Sequence, residues 1–157
     1  MSSLICADDD RGSSTTRSIT HLDSSALAFA RYGSHMPSPV ETAVRTYVRA
    51  SGERDPAVRA KLIEACFAED GRFVTRSGVI RGRAGVEAMI ARSLADPQML
   101  GFRMASVIDA AGTTFRYRSI VDRRDGTSIE FFDAGEIDAD GRITTLLVFS
   151  GPLADVT

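Results

Sequence analysis

The 157-residue chain has no tryptophan, a single lysine (Lys61), two histidines and two cysteines, and each shortage removes a class of function. Both histidines, His21 and His35, precede the region that carries helix and strand signals. A Ser–His–Asp or Cys–His arrangement inside that region therefore lacks its base, and a metal site lacks imidazole ligands. Cys6 and Cys66 lie too far apart for a disulfide framework or a zinc spacing. A reducing cytoplasm is the simplest home for such a chain. No apolar run is long enough to span a membrane. A net charge of −2 provides no basic excess for a nucleic-acid partner. No GxGxxG or phosphate loop occurs, so no nucleotide cofactor is indicated.

What is present reads as one globular domain with tails. The composition is 43% hydrophobic and 25% charged, enough apolar material for a core. Residues 1–36 are the exception. Gly12-Ser13-Ser14-Thr15-Thr16 and Asp8-Asp9-Asp10 bury too little apolar surface to offset the entropy of ordering, which predicts disorder. Gly33-Ser34-His35-Met36 resembles an expression-tag scar; alternatively, Met36 is the natural start and the tail an over-extended reading frame. The domain is expected over 37–152, with a short tail over 153–157.

Ser38-Pro39-Val40-Glu41 combines a cap, a first-turn proline and a capping-box glutamate. Val40, Val44, Tyr47 and Val48 follow at helical spacing, and Gly52 ends the helix. Asp55-Pro56 opens a second helix with Val58, Leu62, Ile63, Cys66 and Phe67 as its stripe, and Asp70-Gly71 is expected to turn the chain. Arg72–Ser77 alternates as a strand, with Val79-Ile80 as a short partner. Gly82 to Pro97 bounds a third helix carrying Val86, Met89, Ile90 and Leu94. Four β-rich runs follow: Phe102–Asp109, Thr113–Asp122, Ser128–Ile137 and Arg142–Ser150. Asp125-Gly126 and Asp140-Gly141 are hairpin signals. Helices first and a meander after them predict an α+β fold, with three N-terminal helices on one face of a curved, mostly antiparallel sheet.

Strand parity singles out one acid. Ile129, Phe131, Asp133, Gly135 and Ile137 share a face that is apolar except for Asp133. Burial there raises a carboxyl's pKa, and a poised acid can move a proton next to a carbonyl. The bland alternative is that Asp133 bonds backbone or a nearby hydroxyl and only fixes the pocket. Tyr47 faces the sheet on helix spacing, either as a phenol donor into a cavity or as a half-buried aromatic. Thr75, Tyr117 and Ser119 are candidate polar wall residues. Phe73, Phe102, Met104, Phe115, Phe131, Leu147 and Phe149 are either an apolar pocket wall or plain core. The other face of the meander is mixed, which points to a homodimer through the outer sheet face. Arg72, Arg76, Arg81 and Arg83 read as a solvated rim.

The element order, with Phe67-Ala68-Glu69-Asp70-Gly71 before the first strand and Asp140-Gly141-Arg142-Ile143 before the last, resembles the nuclear-transport-factor-2-like superfamily. Within it the chain is most similar to SnoaL-like polyketide cyclases and ketosteroid isomerases. The resemblance implies a cone-shaped fold and a cofactor-independent isomerase or cyclase acting on a small apolar or carbonyl-containing ligand. It places Tyr47 where the isomerases keep their oxyanion-hole tyrosine. It places Asp133, eight residues before Gly141, where they keep a protonated aspartic acid. The isomerase base falls on Thr75, whose hydroxyl is no base near neutral pH, so the same mechanism does not carry over whole. A non-catalytic ligand-binding or dimeric accessory module is the alternative. An epoxide hydrolase of similar fold needs an acid that the last strand, Leu146-Leu147-Val148-Phe149, does not offer.

Overall fold

A computed structural model describes residues 36–151. The expectations for the tail before Met36, with Cys6, His21 and His35, and for residues 153–157 lie outside the described residues.

Three helices form where the sequence predicts them, two of them from side-chain caps. Helix α1 (Pro39–Gly52) starts in a complete capping box. Glu41 N donates to Ser38 Oγ at 3.2 Å, and Ser38 N donates to Glu41 Oε2 at 2.9 Å. In α2 (Pro56–Cys66), Asp55 Oδ1 accepts from Ala57 N and Val58 N at 2.8 and 3.1 Å. Caps of this kind contribute about 1 kcal/mol each. Helix α3 (Gly82–Leu94) has no side-chain cap and buries Val86 and Ile90.

One inward position differs from the sequence reading. Val58 is 37% exposed, and Arg59 takes the buried place beside it at 4%. Arg59 is tolerated there because its guanidinium is satisfied. Nε and Nη2 donate to Glu87 Oε1 at 2.9 and 2.7 Å, and Nη1 to the Glu53 carbonyl at 2.9 Å. Since Glu87 lies on α3, this pair ties α2 to α3.

The strands are β1 (Phe67–Thr75), β2 (Gly78–Arg81), β3 (Met99–Met104), β4 (Asp109–Ala111), β5 (Thr114–Arg123), β6 (Ser128–Ile137) and β7 (Ile143–Ser150). They form one curved sheet in the order β2-β1-β7-β6-β5-β3, with β4 paired to β5. All pairs are antiparallel except β1–β7. The fold is therefore α+β, three helices packed on a mixed, mostly antiparallel sheet.

Two expected elements are redrawn. Glu69-Asp70-Gly71 is not a turn but a bulge inside β1. Phe67 pairs with Ile143 and Arg72 with Thr145, so five steps on β1 face two on β7. The Phe67 ring folds back over Gly71, where a Cβ would sit 2.5 Å from it. Arg83 Nε donates to the Phe67 carbonyl at 2.7 Å, so this arginine, expected on a solvated rim, is tied to the bulge. The run Phe102–Asp109 is two strands. Ser106 Oγ accepts from Arg118 N at 2.8 Å, and a side chain standing in for a backbone acceptor takes the chain off the ladder.

The core fills the space between helices and sheet. Val44, Ile63, Cys66, Phe67, Val86 and Leu146 are essentially sealed from water. Tyr47 packs between Phe67 and Phe73, its ring centroid 6.5 Å from each.

Candidate functional site

Beyond this core the inner face of the sheet opens into a cavity of about 620 Å³. Its floor carries Tyr47, Ser119 and Asp133. Phe73, Thr75, Phe102 and Phe131 form walls, together with Met89 and Ile90 from α3 and Val79 and Ile80 from β2. Arg92, Asp96 and Arg123 stand in the lining as charged side chains.

Asp133 is 2% exposed and points inward from β6. Ser119, fully buried on β5, donates from Oγ to Asp133 Oδ2 at 2.6 Å. Tyr117 lies directly across the strand pair from Asp133. Its phenol is near enough to lower the carboxyl's pKa a little, but the geometry falls short of a formed hydrogen bond. Tyr117 Oη and Asp133 Oδ1 are thus both buried without a partner among the described residues. Burial is the dominant influence on Asp133 and raises its pKa to about 6, against the downward pull of Ser119. Burial likewise raises the Tyr47 and Tyr117 phenols well above their ordinary range, with the neighbouring Asp133 charge adding to it. Both remain protonated donors at neutral pH. The Cys66 thiol, pushed up to about 12 by burial, is inert.

The remaining candidates divide. Met104 packs against the core rather than the cavity. Phe115 and Tyr117 stack on each other, centroids 6.2 Å apart, and belong to the core beneath the floor. Phe115 fits because β6 has Gly135 opposite it, where a Cβ would come within 2.6 Å of the ring.

Leu147 and Phe149 are corrections. Ile137 pairs with Ile143 but Glu136 with Thr145, so Thr144 is an extra residue on β7. One inserted residue inverts the parity of everything after it. Leu146 and Val148 therefore face inward, opposite Gly135 and Asp133, while Phe149 is 49% exposed. Val148 is a wall residue the sequence reading missed, as are Met99, Val121 and Ile129. Thr75 lines the cavity, but its hydroxyl serves the β1–β2 turn, accepting from Ser77 N at 3.1 Å and donating to the Gly78 carbonyl at 3.3 Å. Arg123 was legible in principle: it continues the inward alternation Phe115, Tyr117, Ser119, Val121. No sequence signal brought α3 over the same space.

Comparison with known proteins yields fold-level likeness. No protein-family model matches the chain, and no curated protein matches it by sequence. Among solved structures it is similar to a candidate isomerase of the SnoaL-like family from Agrobacterium tumefaciens. Identity is 25%, coverage 73% of this chain and 98% of that one, and the TM-score 0.66. It also resembles a protein of unknown function with a cystatin-like fold from Methylobium petroleophilum, at 21% identity, 76% and 81% coverage and a TM-score of 0.62. An NTF2-like protein of unknown function from Burkholderia xenovorans matches at 16% identity, 76% and 88% coverage and a TM-score of 0.57. Among the described residues no helix is long and apolar enough to cross a membrane.

Proposed function

The chain has the nuclear-transport-factor-2-like fold, and on that scaffold we propose a small-molecule pocket in which Asp133 moves a proton next to a ligand carbonyl. One observation carries the reading: a carboxyl at the floor of an apolar cavity, with a pKa near 6 and one oxygen left without a partner. A group so poised is present in both protonation states around neutral pH, so it can take a proton and return it. In the proposed step Asp133 Oδ1 accepts a proton from the carbon beside the carbonyl. The Tyr47 phenol donates a hydrogen bond to the enolate oxygen that forms. Asp133 then returns the proton to a different carbon, which isomerises the ligand without a cofactor. The SnoaL-like candidate isomerase among its structural neighbours is compatible with this class.

The second reading is a non-catalytic ligand-binding module. What favours it is Thr75, which holds the turn and supplies no base. The two readings separate on hydrogen–deuterium exchange of a cyclic ketone in heavy water, followed by NMR. The catalytic reading expects exchange beside the carbonyl that rises with pH through about 6 and collapses in Asp133→Asn. Equal rates with and without the Asp133 carboxylate would sink it and leave the binding module.

We also place a homodimer contact on the outer sheet face. Phe132 and Phe149 sit directly across from each other there, 43% and 49% exposed. Arg116 and Arg118 on β5 flank them on one side, and Glu130 and Glu136 on β6 supply the opposite charge. Sedimentation of Phe132→Asp as a monomer, with a wild-type dimer, is the expected outcome.

A further inference from the structure

Four arginines are clamped by a carboxylate within this domain. Arg59, Arg103, Arg116 and Arg118 meet Glu87, Asp122, Asp109 and Glu130 at 2.7, 2.8, 2.7 and 2.8 Å. The two arginines that line the cavity do not. Arg123 Nε is 4.0 Å from Asp125 Oδ2, the outer limit of an ion pair. Asp125 is instead drawn into its own turn, accepting from Thr127 N and Oγ1 at 2.9 and 2.6 Å. The exposed Arg92 side chain has no hydrogen bond or ion pair among the described residues. Asp96 is the one carboxylate beside them in the lining, and it caps a bend by accepting from Gln98 N at 2.9 Å. Within the lining itself Arg92 and Arg123 outnumber Asp96, while Asp125 stands outside it, 4.0 Å from Arg123.

Their placement is determined by two elements. Arg123 ends the inward row of β5, six residues beyond Tyr117, which pairs with Asp133. At the strand rise that separation is roughly 20 Å. Arg92 follows Met89 by three residues on α3, so it extends the helix face that walls the cavity. The cavity thus has a floor with a carboxyl, apolar walls, and two arginines in its lining, with Arg123 held only by the 4.0 Å contact to Asp125.

We propose that Arg123 and Arg92 form a carboxylate clamp, so that the ligand is an elongated apolar molecule ending in a carboxylate. A planar guanidinium presents paired donors that match a carboxylate edge to edge. The inference rests on the pocket reading above and adds the ligand's charge and shape to it. The clamp holds the anionic end away from Asp133, so the body of the ligand, not its charge, meets the floor.

Calorimetric titration with decanoate and with methyl decanoate tests this. The wild-type protein is expected to bind the acid ~10-fold more tightly than the ester. The double variant Arg92→Gln/Arg123→Gln is expected to lose that preference while binding the ester as before. Arg123→Lys, which keeps the charge but not the fork, is expected to retain part of it. Both side chains border the cavity rather than fill the core, so thermal melts by circular dichroism should match wild type. Equal binding of acid and ester to the wild type overturns the clamp and leaves the pocket standing. A preference that survives the double substitution overturns it as well. Binding of neither probe also overturns it, while ketone exchange that depends on Asp133 would still support the pocket.

Discussion

On the outer face of the sheet, Arg103, Arg116 and Arg118 each hold a carboxylate at 2.7–2.8 Å, with the arginine side chains more than half exposed. On the inner face, Asp133 is 2% exposed, receives one hydrogen bond from Ser119 and keeps Oδ1 unpartnered. The same strands supply both. Outside, water screens the charges, and each pair is worth at most about 1 kcal/mol. Inside, the carboxyl loses hydration and regains only part of it, so its pKa climbs. Charge on the outer face adds little to the stability of the single protomer, whereas charge on the inner face weakens the fold unless a ligand or a proton completes it.

Four substitutions sharpen or break this contrast. The largest effect is expected from packing on the inner face. In Gly135→Ala the new methyl meets the Phe115 ring and the Thr145 carbonyl. A loss of about 3 kcal/mol in a urea unfolding curve is the expected result; a near-neutral change would show that the Phe115 ring yields.

Next is Asp133→Asn, where the sign depends on pH. The folded-state pKa near 6 exceeds the ordinary 3.8, so the folded chain holds this proton more tightly than the unfolded one. Between those values stability falls as pH rises, and the full cost, about 3 kcal/mol, is present above pH 6. The asparagine variant removes that cost. It is expected to be more stable than wild type near pH 8, and to lose the advantage near pH 4. A difference that stays constant with pH would place the destabilisation elsewhere.

Ser119→Ala comes third. Losing the 2.6 Å donor removes a group that lowers the Asp133 pKa, so the carboxyl should titrate above 6 in a carbon-13 NMR experiment. The stability loss should be about 1–2 kcal/mol. Smallest is Arg118→Ala, which breaks the outer pair with Glu130. Unfolding free energy should change by less than about 0.5 kcal/mol, and a larger loss would undo the contrast between the faces.

Much of the fold was legible because its signals are local. Ser38 and Glu41 close a capping box within four residues, Asp55 caps its own helix, and Gly126 and Gly141 adopt the positive φ their Asp-Gly turns require. The inward placement of Asp133 was legible too, because β6 runs from Ser128 to Ile137 without an interruption of its alternation. Parity failed on β7, where Thr144 is extra only relative to β6, and the sequence of β7 alone does not mark it. It was silent on the parallel β1–β7 pair, whose partners are more than seventy residues apart.

The sequence by itself determined where the helices start, where the hairpins turn, and that one acid stands on an apolar strand face. Those features are set by backbone preferences and spacing within a few residues. Tertiary structure decided what surrounds that acid: Ser119 at its oxygen, Val148 rather than Leu147 or Phe149 beside it, and Arg92 and Arg123 in the lining of the same cavity. Each of these depends on register between strands, or on a helix crossing over the sheet. Such pairings are chosen by the packing of the whole core, and no local stretch of chain contains them.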